Sequence, residues 1–519
     1  MLVKTYCAAI NGLEVTTVTV EVSVEAGQCL YLSGLGDEAV RESQNRIRTA
    51  FLYSGYKFPN KGITINLAPA DLRKEGTAFD LPIAIGILAA NEDMPKELLD
   101  KYLLVGELGL DGTLQPIRGA LPIAIKARKD GYKGMILPRG NAREAAVVNN
   151  LEIYGMDTLT DVVQFLSGQS EAQPFEYDTR KVFYEQQASS SDLDFADVKG
   201  QESVKRAMEV AAAGGHNMIM IGPPGSGKSM MAKRLPSILP PLSLSESLET
   251  TQIHSIAGKL SGGKDGRGAT LISQRPFRSP HHTTSQAALV GGGPKALPGE
   301  ISLAHNGVLF CDELPEFNKS TLEVLRQPLE DRTITISRAK YTIEYPCSFM
   351  FVASANPCPC GYYGDPTHHC VCSPNQIQRY MNKISGPLLD RIDIQIDIVA
   401  VPFSELSKTA QGESSAEIRK RVIAARQIQT ERFKKENTIH CNAQMTDRML
   451  RKYCVIDEQT TTLLHNAMER LHLSARAYSR ILKVARTIAD LDGSENIQMQ
   501  HIAEAIGYRQ LDRGDWAER

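Results

Sequence analysis

The run Gly222-Pro223-Pro224-Gly225-Ser226-Gly227-Lys228-Ser229 constrains this chain more than any other feature. It fits the spacing G-x-x-x-x-G-K-[ST], which needs a strand in front of it and a helix behind it. The flanks supply both. Met218-Ile219-Met220-Ile221 reads as a buried strand, and Met230 to Leu235 reads as the start of a helix. In that setting backbone N–H groups, backed by a helix N-terminus, cradle phosphate oxygens. Lys228 can reach the β- and γ-phosphates of a nucleoside triphosphate, and Ser229 can ligate Mg²⁺. A chance match in a glycine-rich turn would not carry both flanks.

A second motif follows at the right kind of position. Gly307-Val308-Leu309-Phe310-Cys311-Asp312-Glu313 is an apolar strand that ends in two carboxylates. Asp312 suits Mg²⁺, a hard cation that takes oxygen ligands. Glu313 suits the water that attacks the γ-phosphate. Ser348 to Ala355 is another apolar strand, and the amide of Asn356 at its tip could position the same water. Leu388-Leu389-Asp390-Arg391-Ile392-Asp393 places a guanidinium among acids. Either it is a surface ion pair or Arg391 is an arginine finger for a neighbouring subunit's phosphate. Arg476, at the start of a helical stretch, could read the same phosphate.

These residues carry a family resemblance. Residues 195 to 519 resemble the AAA+ ATPases of the magnesium-chelatase-like group. The stretch Arg275-Pro276-Phe277-Arg278-Ser279-Pro280-His281-His282, Gly291-Gly292-Gly293, Pro298-Gly299-Glu300-Ile301 and Asp312-Glu313-Leu314-Pro315-Glu316-Phe317 is similar to the bacterial ComM-like (YifB-type) branch. The resemblance implies Lys228 and Ser229 in the phosphate loop, Asp312 and Glu313 as the Walker B pair, and Asn356 as sensor 1. It also implies Arg391 as the finger and Arg476 as sensor 2, in cis or in trans. A finger needs a neighbour, which argues for a ring; the family implies a hexameric helicase that drives branch migration when transforming DNA is integrated.

More than 80 residues separate Lys228 from Asp312, too many for a single strand–helix–strand crossover, so something is inserted. Gly291-Gly292-Gly293-Pro294-Lys295 reads as a flexible loop with one cation. Thr333 to Glu344 reads as two alternating strands flanking Arg338-Ala339-Lys340, a hairpin with a basic tip. An ordinary solvated turn would look the same. The resemblance implies that both project into the pore of a ring, where Lys295, Arg338 and Lys340 would grip DNA phosphates. The helix from Ser415 to Lys435 is also basic, and a solvated face is expected there.

Four of the ten cysteines cluster as Cys358-x-Cys360 and Cys370-x-Cys372, with His368 and His369 beside them. A four-thiolate zinc site is chemically reasonable, and four reduced loop cysteines are the alternative. The other six are scattered, as in a cytosolic protein with reduced thiols.

Length suggests about three domains at roughly 150 residues each. Residues 1 to 168 form the first. Leu13 to Val22 reads as strands, and Asp37 to Phe51 as a helix with Val40, Ile47 and Phe51 apolar. Ile63 to Leu67 is a short strand, and Leu81 to Ala90 an apolar helix. Within this region Leu72 to Asp80 and Gly106 to Gly112 resemble the Lon-type peptidase domain, an α+β fold shared with ribosomal protein S5 domain 2. The peptidase's serine position falls on Ala78 and its lysine position near Leu121. Lys74 and Lys126 lie nearby but have no serine to activate, so no peptidase activity is expected. Residues 169 to 194 read as a polar linker, 195 to 400 as the AAA+ α/β core, and 401 to 519 as an all-helical lid. In that lid Ser474 is an expected N-cap and Gly493 an expected stop. No apolar run approaches ~18 residues, so no membrane span is expected. The N-terminus has no basic-then-apolar leader pattern, which makes the cytoplasm the expected address. The net charge of −2 gives no global pull on nucleic acid, so DNA would need a local basic surface. The sequence favours an ATP-driven motor on DNA. A metal-chelatase motor subunit and a protein-remodelling machine stay open, and an ATP-dependent peptidase is disfavoured by Ala78.

Overall fold

The computed structural model of the chain describes residues 1–74, 76–188, 193–260, 271–293, 296–338, 341–366, 368–401, 412–436, 439–471 and 473–509. It resolves into two compact units. The first comprises Met1–Gln186, Leu244–Ser273 and the described part of Ala339–Glu344, and the second the remainder.

In the first unit, β1 (Leu2–Asn11) and β2 (Glu14–Glu25) pair antiparallel from Leu2 opposite Ser23 to Asn11 opposite Glu14. With β3 (Leu30–Ser33) and β4 (Gly62–Ala68) they make a sheet of order β1-β2-β4-β3, in which β3 and β4 run parallel. Val18, Val20, Val22 and Val24 alternate inward along β2, as period-2 side chains must. Helix α1 (Glu38–Tyr53) is capped by Asp37, whose side chain accepts from the Val40 amide, and it buries Val40, Ile47 and Phe51. Helix α2 (Asp80–Ala90) is apolar all round and buries every residue. Its one charge, Asp80, is held by a two-point contact with Arg46 at 2.7 and 2.8 Å. A second sheet is parallel, β5 (Tyr102–Leu104), β6 (Gly134–Pro138) and β7 (Glu152–Met156), with α3 (Ala120–Lys129) preceding β6.

Two sequence expectations need correction here. The stretch 169–194, read from sequence as a polar linker, contains a ten-residue helix, Thr179–Ala188. Phe183 on it is buried in the core of the first unit, and the Thr179 hydroxyl donates to the Val147 carbonyl at 2.9 Å. Its polar composition hid these two anchors. The helix Leu244–Ile256, which follows the phosphate loop in sequence, also belongs to the first unit. There Ser255 hydrogen-bonds Glu144, which in turn accepts from the Leu121 amide at 3.0 Å.

The second unit is built on a five-stranded parallel sheet. Its strands are β8 (Met218–Ile221), β9 (Phe277–Arg278), β10 (Val308–Cys311), β13 (Met350–Ala355) and β14 (Ile394–Asp397), in spatial order β9-β10-β13-β8-β14. The four residues of β8 and of β10, and the six of β13, are all buried, which is why they read as unbroken apolar runs. Helix α4 (Glu202–Gly214) precedes β8, and α5 (Lys228–Ile238) follows it. Strands β11 (Thr333–Arg338) and β12 (Tyr341–Pro346) form a two-stranded sheet, and the residues between them lie outside the described residues.

Beyond β14 the described chain is almost wholly helical. Helix α6 (Ser415–Arg432) and helix α7 (Ala475–Leu491) are its longest elements. Ser474 caps α7 by accepting from the Ala477 amide, and the chain leaves it through Gly493 in the left-handed region (φ 64°). The basic residues of α6 are not a uniformly solvated face. Arg421 pairs with Glu209 and Glu413, Arg426 donates to the Ala212 carbonyl at 3.1 Å, and Arg432 grips the buried Asp490 at 2.5 and 2.7 Å. Lys420, Lys434 and Lys435 are exposed. Among the described residues no helix is long and apolar enough to cross a membrane.

Candidate nucleotide site

The phosphate loop turns sharply between β8 and α5. Gly225 and Gly227 sit at φ 78° and 92°, where a side chain would be strained. No side chain caps the N-terminus of α5, so its first amides are free to face an anion. Lys228 folds back over the loop. Its ammonium donates to the Gly222 carbonyl at 2.7 Å, the Pro223 carbonyl at 2.9 Å and Asn356 Oδ1 at 3.2 Å. Burial pushes its pKa down, and the carboxylates of Asp312 and Glu313 oppose that. The Ser226 hydroxyl is buried without a partner, which fits a loop shaped for phosphate oxygens.

Asp312 closes the site from β10. Its Oδ2 accepts from the Ser229 hydroxyl at 2.7 Å. One hydroxyl and one carboxylate at this distance suit a mostly hydrated Mg²⁺. Glu313 is held in the left-handed region at φ 52°, a conformation that costs a non-glycine residue about 1–2 kcal/mol. Its amide donates to Asp312 Oδ1 at 3.2 Å and to Ser354 Oγ at 3.1 Å. The Ser354 hydroxyl in turn hydrogen-bonds Asp312 Oδ1. Ser354 thus joins both acids from the neighbouring strand, and sequence reasoning missed it. The only signal was one hydroxyl in the otherwise apolar run Met350-Phe351-Val352-Ala353-Ser354-Ala355. His282 was also passed over as a site residue; its Nδ1 lies 3.7 Å from Glu313 Oε2.

Lys228, Ser229, Asp312, Glu313 and Asn356 therefore meet at one end of the sheet. Arg391 and Arg476 belong to a second cluster. Arg391 pairs with Glu330 and donates to the Pro387 carbonyl at 2.7 Å, while Arg476 pairs with Asp390 at 3.1 Å. Among the described residues neither arginine hydrogen-bonds a member of the first cluster. Asn217 connects this segment to the sheet. Its side chain donates to the Arg391 carbonyl at 3.0 Å and accepts from the Phe351 amide at 3.0 Å.

The chain matches the model described as magnesium chelatase, subunit ChlI, over residues 194–406. The ChlI C-terminal model matches 412–509, and a further ChlI model matches 20–141. Competence protein ComM of Haemophilus influenzae is 44% identical over 510 residues, which is 98% of this chain and 97% of the relative. The chain belongs to the ComM-like (YifB-type) family of magnesium-chelatase-like AAA+ ATPases. YifB of Escherichia coli is 45% identical over 507 residues, 97% of this chain and 96% of that protein. A weaker similarity, 25% over 198 residues, links 33% of this chain to 35% of Lon protease 2 of Bacillus subtilis. It fits the Lon-like N-terminal fold.

The remaining candidates fall as follows. Lys295 and Lys340 lie outside the described residues, and Arg338 closes strand β11. Gly291–Gly292 pairs with Leu297–Pro298 as a short hairpin between the helices Gln286–Val290 and Glu300–Leu303. The four clustered cysteines converge, with all ligand atoms within 4.8 Å of one another. His368 does not join them; it stacks on Tyr362 and faces Asp365. In the first unit Ala78 stands in the turn before α2, its carbonyl accepting from the Gly106 amide at 3.0 Å. Leu121 is buried in α3, Lys74 is buried against the Pro69 carbonyl, and Lys126 pairs with Asp130 at 2.7 Å.

Proposed function

We propose that the chain is an ATP-hydrolysing motor that assembles with copies of itself into a homohexameric ring on single-stranded or branched DNA. In this reading it is a cytoplasmic branch-migration helicase that serves the integration of transforming DNA by homologous recombination. The observation that carries the hydrolysis is the meeting of Lys228, Ser229, Asp312, Glu313 and Asn356 at one end of a parallel sheet. Lys228 would leave its carbonyl partners for phosphate oxygens. Ser229 and Asp312 would hold Mg²⁺, which supplies charge neutralisation at the β- and γ-phosphates when bound. Glu313 would take the proton of the attacking water, and Asn356 would orient that water. Arg391, which makes no hydrogen bond to its own chain's phosphate loop among the described residues, would serve a neighbour's, with Arg476 beside it. A zinc ion on Cys358, Cys360, Cys370 and Cys372 would be structural, and no step runs through it. The first unit, with Ala78 and Leu121 where a Ser–Lys dyad would stand, would build or guide the ring without cleaving peptides.

The DNA half of the proposal is supported by kinship with a protein named for competence and by the basic sequence Arg338-Ala339-Lys340 that links β11 to β12, with Lys295 in the inserted sequence. The test is ATPase rate with single-stranded, forked and four-way DNA. Stimulation that disappears in Arg338→Ala/Lys340→Ala is the expected result. No stimulation by any of the three would overturn the DNA reading and favour a chelatase-type or protein-remodelling motor.

A further inference from the structure

The loop that leaves β13 at Asn356 carries four sulfurs in a tight group. Cys358 and Cys360 are 3.3 Å apart, Cys360 and Cys370 3.5 Å, and Cys358 and Cys370 3.7 Å. A tetrahedron of thiolates about 2.3 Å from zinc has edges of about 3.8 Å, so little movement is needed. All four thiols are free rather than bridged. Among the described residues no carboxylate or imidazole joins the group. Four soft ligands select zinc over Mg²⁺ or Ca²⁺.

The same loop touches the nucleotide site twice. Asn356, two residues before Cys358, accepts from Lys228. Gly361, between the cysteine pairs, packs directly on the phosphate loop. A Cβ at Gly361 would lie 2.6 Å from Pro224 Cδ, and its φ of 87° is one that side chains avoid. We propose that Cys358, Cys360, Cys370 and Cys372 bind one zinc ion, and that the metal-tied loop is a strut fixing Asn356 and the phosphate loop for ATP. The proposal rests on the structural-zinc reading of the cysteines and is independent of DNA.

The test uses full-length protein purified without chelator, with no DNA present. Elemental analysis should find about one zinc per chain in the wild type. Cobalt exchanged into the site should give the intense visible bands of a four-thiolate tetrahedral centre. Cys360→Ser/Cys372→Ser should lose both signals. Gly361→Ala keeps every ligand, so it should retain zinc. Its added methyl should push Pro224 and weaken binding of a fluorescent ATP analogue on the order of tenfold, as overpacking does. A wild type with neither zinc nor cobalt bands overturns the metal site. Zinc-loaded Gly361→Ala with unchanged nucleotide affinity overturns the strut. Neither failure bears on the DNA reading, which is measured by DNA stimulation.

Discussion

Ser354 shows how much of a candidate catalytic site can depend on a residue with no motif of its own. It bonds Asp312 Oδ1 and accepts from the Glu313 amide, so it steadies a glutamate whose backbone is strained at φ 52°. Hydrogen bonds to charged groups contribute about 1.5–3 kcal/mol. Ser354→Ala should therefore lower the ATPase kcat by roughly 10–100-fold, with a smaller change in KM, measured by steady-state phosphate release. Glu313→Gln should keep ATP binding and lose about 10²–10⁴-fold in kcat, as removal of a general base does. A Ser354→Ala enzyme with wild-type kcat would show that the strand hydroxyl is only filling space. The phosphate loop and the two acids were legible because their chemistry demands fixed residue types at fixed spacing. Ser354 was not, because any small residue satisfies a buried strand and only the contact across β10 and β13 gives the hydroxyl a purpose.

The elements were legible where one face decides them. The strand before the phosphate loop, α1, α2 and α7 follow directly from apolar pattern and caps. Strand β1 received no reading at all, since Lys4-Thr5-Tyr6-Cys7-Ala8 has no clean alternation and is fixed by pairing with β2. The basic residues of α6 looked like a solvated face because a sequence does not show that Glu209 and Asp490 lie opposite them. The same helical region contains a titration that can be checked. Lys483 on α7 is partly buried, its ammonium donating to the Ala443 carbonyl at 3.0 Å, and burial pushes its pKa down to about 8, with Arg480 adding to the effect and Asp393 opposing it. Below that pH the fold must hold a partly buried cation. Between pH 8 and the unfolded value near 10.4 the unfolded chain binds more protons than the folded one, so stability rises with pH. Relative to Lys483→Met, the wild type should gain on the order of 2 kcal/mol across that window, read by urea unfolding at several pH values. Equal pH slopes for the two proteins would mean that the lysine escapes to water. Arg432→Ala should cost more, about 3–5 kcal/mol, because it strands the buried Asp490 carboxylate with Arg486 as its remaining cation.

At the scale of the whole chain, the order of an α+β unit, a parallel α/β sheet and a helical end was legible from texture. The boundaries were less so. The helix Leu244–Ile256 lies between the phosphate loop and the Walker B strand in sequence, yet belongs to the first unit. Contiguity along the chain misleads wherever an insertion returns to an earlier domain. The placement of Arg391 raises the question of assembly directly. It is tied to Glu330 and, through Asp390, neighbours Arg476, while its own chain's phosphate loop is built without it. If Arg391 completes a neighbour's site, two inactive variants should rescue each other when mixed. Lys228→Ala cannot hold the phosphates, and Arg391→Ala cannot supply the finger. In a mixed ring some interfaces pair an intact phosphate loop with an intact arginine, so ATPase activity should reappear on mixing and fall again when either variant is in large excess. If Arg391 instead serves only its own chain, every subunit in the mixture is defective and mixing restores nothing. Sedimentation of the mixture with ATP separates that result from a simple failure to assemble, since both variants should still form rings if the subunit contacts are intact.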